Sequence, residues 1–189
     1  MIRLIYENFN PKIHNTRKVA ELVYDVDFRT FDLLFKDKEN AISTIENDLK
    51  KHEETPTFKV ILNEEGEVIG MLMAYISKMP HDLRIKALKL VIVDILDYFV
   101  LCDIKEGDLY VAELAIDSSL RGKGLGKQVL DDVVCYARDR NLNRVILDAD
   151  FRNEGAKKLY EKLGFKVFNK KRLKLVNFER GMYNMELIL

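Results

Sequence analysis

The segment from residue 108 to residue 141 most constrains the fold of this chain. It opens with "DLYVAELAID", a run apolar enough to form a central strand of a sheet. The loop "DSSLRGKGLGK" follows, and apolar residues then recur at helical spacing between Leu125 and Ala137. A strand, a glycine-rich loop and an amphipathic helix in this order predict a sheet with helices packed on it.

The glycine-rich loop has the residue types of a phosphate-binding site. At the start of a helix, unpaired backbone N–H groups and the positive end of the helix dipole converge on one point. Glycine lets an anion approach this backbone closely, and arginine and lysine add full positive charge. These residues are Gly122, Gly124 and Gly126, with Arg121, Lys123 and Lys127.

An ordinary mobile turn with solvated cations is the alternative interpretation of this loop. Neither the "GxxxxGK[ST]" pattern of P-loop proteins nor the "GxGxxG" spacing of dinucleotide-binding folds is present. Taken alone, the loop therefore predicts an anion and no particular ligand.

The residues before this segment read as helices followed by a hairpin. Asn15 and Thr16 are the candidate N-caps for the first helix. "TFKVILNEEGEVIGMLMAYI" predicts two strands that turn at Gly66. The other predicted elements are a strand at about 2–6 and helices at about 15–24, 28–35 and 38–52.

The residues after the glycine-rich loop continue the mixed pattern. "NRVILDAD" predicts a strand, and "NEGAKKLYEKLGF" predicts a short helix with Asn153 as N-cap and Gly164 at its C-terminal end. Two last strands are expected at about 165–172 and 182–188. Without an internal repeat or a linker-like stretch, residues 1–189 are expected to form a single domain.

The apolar segment from residue 83 to residue 101 predicts a helix with an unusually wide apolar face. Burial in the core explains such a face most simply. A homodimer contact or a wall of a substrate pocket is the alternative.

Charge and cysteine content narrow the function classes. The 31 basic residues equal the 31 acidic ones, so no net field favours nucleic acid or an anionic membrane. The basic run around Lys170 is expected to be a solvated face. Cys102 and Cys135 lie in apolar stretches, which predicts buried, reduced thiols. The N-terminal residues lack the apolar core of a signal peptide, and charges interrupt the most apolar segment, so a cytoplasmic protein without a membrane span is expected. No metal-ligand spacing is present, so no metal is expected.

Two linked motifs resemble the signatures of the GCN5-related N-acetyltransferases, the GNAT superfamily. Residues Arg121 to Gly126 fit "[QR]xxGx[GA]", and "NEGAKKLYEKLGF" is similar to "NxxAxxLYxxxGF" at every fixed position. Those positions are Asn153, Ala156, Leu159, Tyr160, Gly164 and Phe165. Ser118 departs from the proline that is frequent in the family, which affects only the local turn. The resemblance covers about residues 108–170 closely and the hairpin more loosely.

The resemblance implies an α/β (α+β) fold with a mixed, mostly antiparallel central sheet flanked by helices. Its two central strands would splay apart and form a cleft for acetyl-CoA, used as a co-substrate. The glycine-rich loop would then hold the pyrophosphate, and the strand "ELAI" would pair with the pantetheine arm. The implied cofactor-binding residues are Leu114, Ala115, Ile116, Arg121, Gly122, Lys123, Gly124, Leu125, Gly126, Lys127, Asn153 and Tyr160.

Two residues are candidates for the chemistry of amide formation, which needs an uncharged amine and a proton for the departing thiolate. Tyr160 matches the family tyrosine that donates or orients this proton; packing on an amphipathic helix is its structural alternative. Glu113, the candidate general base, lies in an apolar strand, so it is either an outward-facing residue or a buried carboxylate beside the thioester. Burial would raise the pKa of its carboxyl toward the range useful for a general base.

The sequence therefore predicts an N-acetyltransferase that transfers acetyl directly from acetyl-CoA to an amine in a ternary complex. A transferase of another acyl group and a non-catalytic CoA-binding sensor or interaction module are the alternatives. The acceptor is expected to be an amine of a small molecule or a protein, and its identity is left open.

Overall fold

The computed structural model describes residues 3–35, 37–76, 100–175 and 178–189. The helix predicted for residues 83–101, with its dimer or pocket-wall role, lies outside the described residues except at its last two positions. None of the helices in these ranges has the length and apolar character needed to cross a bilayer.

Helices and strands alternate much as the sequence predicts. In chain order they are β1 (Ile5–Asn8), α1 (Thr16–Val26), α2 (Phe28–Leu34), α3 (Lys38–Leu49), β2 (Phe58–Leu62), β3 (Val68–Ile76), β4 (Asp108–Ile116), α4 (Leu125–Asp139), β5 (Arg144–Asp150), α5 (Glu154–Lys162), β6 (Lys166–Leu175) and β7 (Phe178–Ile188). A short 3₁₀ turn, Ser118–Leu120, separates β4 from α4.

The strands form one seven-stranded sheet of order β1-β2-β3-β4-β5-β7-β6. Antiparallel registers join β1 to β2, β2 to β3, β5 to β7 and β6 to β7. The register between β4 and β5 is parallel. The prediction of a mixed, mostly antiparallel sheet flanked by helices is confirmed.

The chain folds into two compact units. The first contains the described residues of Met1–Ala74 together with Glu113–Gly126. The second contains the described residues of Tyr75–Arg84 and Val91–Ala112, together with Lys127–Leu189. A single acetyltransferase domain over residues 1–189 stays a prediction.

In the first unit α1 packs against α3, and β1, β2 and β3 form an antiparallel ladder. Of the two candidate N-caps, Asn15 is the one used: its side chain caps α1 by accepting a hydrogen bond from the Lys18 N–H at 3.0 Å, and Thr16 is the first helical residue. The apolar stripe of this amphipathic helix is then buried in the core. Its fully buried residues include Val19 and Ala20, with Ile45 of α3 and Val60 and Ile61 of β2.

The second unit is organised around β5. The parallel register with β4 runs from Asp108↔Arg144 to Val111↔Leu147, and the other edge of β5 pairs with β7. Arg144 donates two hydrogen bonds to the buried Asp108 carboxylate, at 2.7 and 2.8 Å, and one to Glu186. The buried Asp108 carboxylate is thus paired with the Arg144 guanidinium, which also has a second carboxylate partner, so each charge of this cluster has a partner.

Several boundaries and the burial of one thiol differ from the predictions. β1 begins at Ile5, where pairing with Leu62 of β2 starts, and α1 continues to Val26. α3 ends at Leu49, and β7 begins at Phe178 because its hairpin register with β6 reaches that residue. The expected burial of both thiols is wrong for one of them. Cys102 is buried, whereas Cys135 lies on the exposed face of α4.

Candidate functional site

The glycine-rich loop starts from a firmly anchored aspartate in the first unit. The Asp117 backbone N–H donates to the carbonyl of Ile69 on β3 at 2.8 Å. Its Oδ1 accepts hydrogen bonds from the backbone N–H and the hydroxyl of Ser119, both at 2.8 Å. Its Oδ2 forms an ion pair with the Lys18 ammonium of α1. The first residue of the loop is thus tied to a strand, a turn and a helix.

Two glycines give the loop its backbone path. Gly122 and Gly124 have φ of +79° and +80°, a left-handed conformation that residues with a Cβ rarely adopt. A Cβ built on either one would meet no heavy atom within 4 Å. The space above both residues is therefore open to a ligand.

The loop also presents backbone N–H groups that the protein itself does not use. The turn engages the N–H groups of Ser119, Leu120, Arg121 and Lys123 in local hydrogen bonds. Within the described ranges no protein acceptor faces the N–H groups of Gly122, Gly124, Leu125 and Gly126. Four unaccepted donors beside open space fit the phosphate oxygens of a pyrophosphate.

The basic side chains of the loop differ in their surroundings. Arg121 and Lys123 are exposed. Lys127 is also exposed, but its ammonium lies 2.6 Å from the Asp131 carboxylate, one turn further along α4. Part of its charge is therefore balanced within the helix.

The strand that leads into the loop carries the predicted base and the predicted partners of the pantetheine arm. β4 continues to Ile116, whereas its register with β5 ends at Val111↔Leu147. The segment Glu113–Ile116 thus extends past the part of β4 that pairs with β5. Glu113 and Leu114 are half-buried, and Ala115 is buried.

The second unit holds the helix of the other motif. Asn153 is the N-cap of α5, as predicted, and its Oδ1 accepts a hydrogen bond from the Ala156 N–H at 3.0 Å. Tyr160 is half-buried, and its ring centroid lies 6.1 Å from that of Phe165. Burial raises the pKa of its phenol to about 12, and the negative charge of Asp148 adds to this shift. The phenol is therefore protonated throughout the neutral range.

A network around Asp148 of β5 was missed by the sequence interpretation. Its Oδ2 accepts from the Tyr110 hydroxyl at 2.7 Å and from the Cys102 N–H at 3.0 Å. Its Oδ1 accepts from the Asn184 side chain at 2.5 Å and from the Cys102 thiol at 3.0 Å. The one available signal was an acidic residue in the middle of the apolar strand "VILDAD".

This network keeps the Tyr110 phenol and the Cys102 thiol in their neutral forms. Burial, with the Asp148 charge as the next cause, raises the pKa of the Tyr110 phenol and of the Cys102 thiol well above their usual ranges. A thiol with a raised pKa is a poor nucleophile. Across the part of the chain that the structure describes, no group of three His, Cys, Asp or Glu side chains is placed to hold a metal ion.

The predicted site residues therefore fall into two sets. The first unit contains the strand segment and the loop, from Glu113 to Gly126. The second unit contains Lys127, Asn153 and Tyr160.

The chain is similar in sequence to known acetyltransferases. The chain is 45% identical over 109 residues to a mycothiol acetyltransferase of Salinispora tropica, a match that covers 57% of this chain and 28% of that protein. It is 38% identical over 56 residues to N-alpha-acetyltransferase 30 of Xenopus laevis, covering 30% of this chain and 20% of that protein. The chain thus spans only a minor part of the length of either relative.

A solved structure supports the fold, and a family model covers most of the chain. The fold is similar to a chain of the NatC complex bound to Gag peptide and CoA, with a TM-score of 0.55, 17% identity and 99% coverage of both chains. The model of the acetyltransferase (GNAT) family matches residues 22–165, which include the anchored loop and both motifs. The chain therefore belongs to the acetyltransferase (GNAT) family.

Proposed function

We propose that this protein is an acetyl-CoA-dependent N-acetyltransferase that transfers acetyl directly to an acceptor amine in a ternary complex. The observation that carries the proposal is the open, donor-rich backbone at Gly122 and Gly124. When bound, acetyl-CoA supplies an acetyl thioester and a pyrophosphate. Family membership and the relatives named as acetyltransferases support the same activity.

The loop would hold the cofactor by its phosphates. The unaccepted N–H groups of Gly122, Gly124, Leu125 and Gly126 would donate to the pyrophosphate oxygens, and the Arg121 guanidinium would add a charge-assisted contact. Leu114, Ala115 and Ile116 would offer backbone partners to the pantetheine arm. Lys123, Lys127 and Asn153 would complete the contacts.

Two side chains would handle the protons. Glu113, as general base, would accept the proton that the attacking amine loses. Tyr160 would keep its proton on the phenol oxygen and donate a hydrogen bond to the departing sulfur. With a phenol pKa of about 12 against a reference thiol near 8.5, complete transfer of the proton would be uphill. Tyr160 therefore acts as an orienting donor more than as a strong acid.

The acceptor is proposed to be an amine of a protein or of a small molecule. The names of the relatives include an N-alpha-acetyltransferase and a mycothiol acetyltransferase, so both kinds of acceptor occur among similar proteins. A panel of N-terminal peptides and small amines distinguishes them once cofactor binding is established.

Calorimetric titration with acetyl-CoA, CoA and 3′,5′-ADP tests the proposal directly. Wild-type protein is expected to bind with a Kd of about 1 µM, near −8 kcal/mol. Gly124→Glu should abolish binding, because it places a carboxylate among the phosphate donors and a Cβ on a left-handed backbone.

Gly66→Glu is the matched control for this substitution. Gly66 also has a positive φ, of +79°, and open space around it, but it lies in the turn between β2 and β3. It should suffer the same backbone strain and keep cofactor binding. Folded wild-type protein that binds no CoA species would overturn the proposed function.

A further inference from the structure

Asp117 poses an electrostatic problem for an anion site, because it puts a carboxylate at the foot of the glycine-rich loop. Its hydrogen bond from Lys18 and those from Ser119 lower the pKa of this carboxyl to about 2. It is therefore negatively charged at every pH at which the protein would work. A bare carboxylate here would repel a pyrophosphate.

Lys18 is placed to solve this problem. It lies on the first turn of α1, and its ammonium contacts Asp117 Oδ2, the oxygen that Ser119 leaves unused. The side chains of the pair are 30% and 17% exposed, so solvent screens the pair only in part. The contact with Lys18 thus both balances the charge of Asp117 and holds its side chain in place.

The neighbouring cations are engaged elsewhere. Lys18 and Asp117 line a cavity of about 500 Å³ that also includes Arg17 and Lys38. Arg17 pairs with Glu39 at 2.5 Å, and Lys38 lies 3.9 Å from the Asp25 carboxylate. Lys18 also lies 3.8 Å from Glu21, but its contact with Asp117 is the shorter one. Among the described residues around this cavity, Lys18 is therefore the cation placed against Asp117.

We propose that Lys18 is a positioning residue for phosphate binding, which holds Asp117 in place and cancels its charge so that the loop accepts a pyrophosphate. This inference rests on the proposed function, since it assumes that the loop binds CoA. It adds a residue of α1, far from both motifs in the sequence, to the determinants of cofactor affinity.

Substitution of Lys18 tests this role by calorimetry with CoA. Lys18→Met should raise the Kd for CoA about tenfold, whereas Lys18→Arg, which keeps the charge, should stay within about twofold. Lys38→Met is the matched control, because it removes another cation from the same cavity, and it should leave the Kd unchanged. Circular dichroism and thermal unfolding verify that each variant is folded.

Two further measurements separate neutralisation from a merely structural contact. In an Asp117→Asn background, Lys18→Met should have little further effect, because no carboxylate is left to balance. The affinity for pantetheine, which lacks phosphates and can be followed by NMR shifts, should not change with Lys18→Met. An equal loss for pantetheine and CoA would overturn the positioning role.

The outcomes distinguish this proposal from the one on which it rests. Wild-type protein that binds no CoA refutes the proposed function and the role of Lys18 together. Wild-type protein that binds CoA, with Lys18→Met binding equally well, refutes the role of Lys18 alone.

Discussion

Asp117 and Asp148 are two carboxylates surrounded by donors, and they stabilise the molecule in different ways. Asp117 lies at the start of a loop, and its contacts include the full charge of Lys18. Asp148 lies inside a strand, and its hydrogen bonds come from an amide, a hydroxyl, a thiol and a backbone N–H. The stabilisation by Asp117 therefore depends on an opposite charge, and the stabilisation by Asp148 depends on the positions of uncharged hydrogen-bond donors.

Because of this difference, different perturbations should weaken the stabilisation by each carboxylate. A charge contact near the surface weakens with acid and with salt. A set of hydrogen bonds to buried donors responds instead to loss of the acceptor, because the abandoned donors stay out of contact with water. The two carboxylates can be separated experimentally on this basis.

The largest effect is expected for Asp148→Ala. Tyr110 is 2% exposed and Asn184 fully buried, so their donors would lose an acceptor without gaining water. The free energy of unfolding should fall by about 3 kcal/mol, as measured by urea denaturation. Asp148→Asn should cost less, since its amide oxygen still accepts two of the hydrogen bonds.

Asp131→Ala is the control for this prediction. Asp131 pairs with Lys127 on the exposed face of α4, so its loss should cost less than about 0.5 kcal/mol. Equal losses for Asp131→Ala and Asp148→Ala would show that the network does not stabilise the second unit.

The next largest effect is expected for Tyr160→Phe, in catalysis and not in stability. Loss of the phenol hydroxyl should lower kcat about 10- to 100-fold and leave the Kd for acetyl-CoA unchanged. With a pKa of about 12, Tyr160 should not cause a loss of rate below pH 10. Steady-state rates from pH 6 to pH 10 measure both features.

Tyr136→Phe provides the matched control, because Tyr136 is 44% exposed on α4 and stacks under Arg140. It should leave kcat unaltered. A Tyr160→Phe enzyme as fast as the wild type at every pH would refute the assigned role of Tyr160.

The same contrast explains how much the sequence could predict. The loop and the caps of α1 and α5 were predictable because each depends on a few consecutive residues. Gly122 and Gly124 do leave open space for the predicted close approach of an anion, and Asn153 does cap its helix. Helix caps and tight turns form between neighbouring residues, so short sequence motifs predict them.

The Asp148 network and the Lys18 contact could not be predicted in this way. Asp148 meets Cys102 and Asn184 across 46 and 36 positions of the chain, and Lys18 meets Asp117 only after both elements have packed. Such partners depend on sheet register and helix placement, which one sequence does not specify residue by residue. The exposure of Cys135 was missed for the same reason, since an apolar stretch does not reveal which helix face is covered.

The smallest effect is expected for Asp117→Asn, and it concerns acid stability. The pKa of Asp117 is about 2 in the folded protein and near 3.9 in an unfolded chain, so its ionised form favours folding. This contribution is present above pH 4 and is lost as the pH falls toward 2. Because the pair is partly exposed to solvent, we expect this contribution to be about 1 kcal/mol.

Urea denaturation at pH 2, 4 and 6 measures this contribution, and the free energy of unfolding should fall less steeply with acid for Asp117→Asn than for the wild type. Asp148→Asn should keep the acid dependence of Asp117, whatever its own effect at neutral pH. Parallel curves for Asp117→Asn and the wild type would mean that the Asp117 carboxylate, and with it the Lys18 contact, contributes no pH-dependent stability.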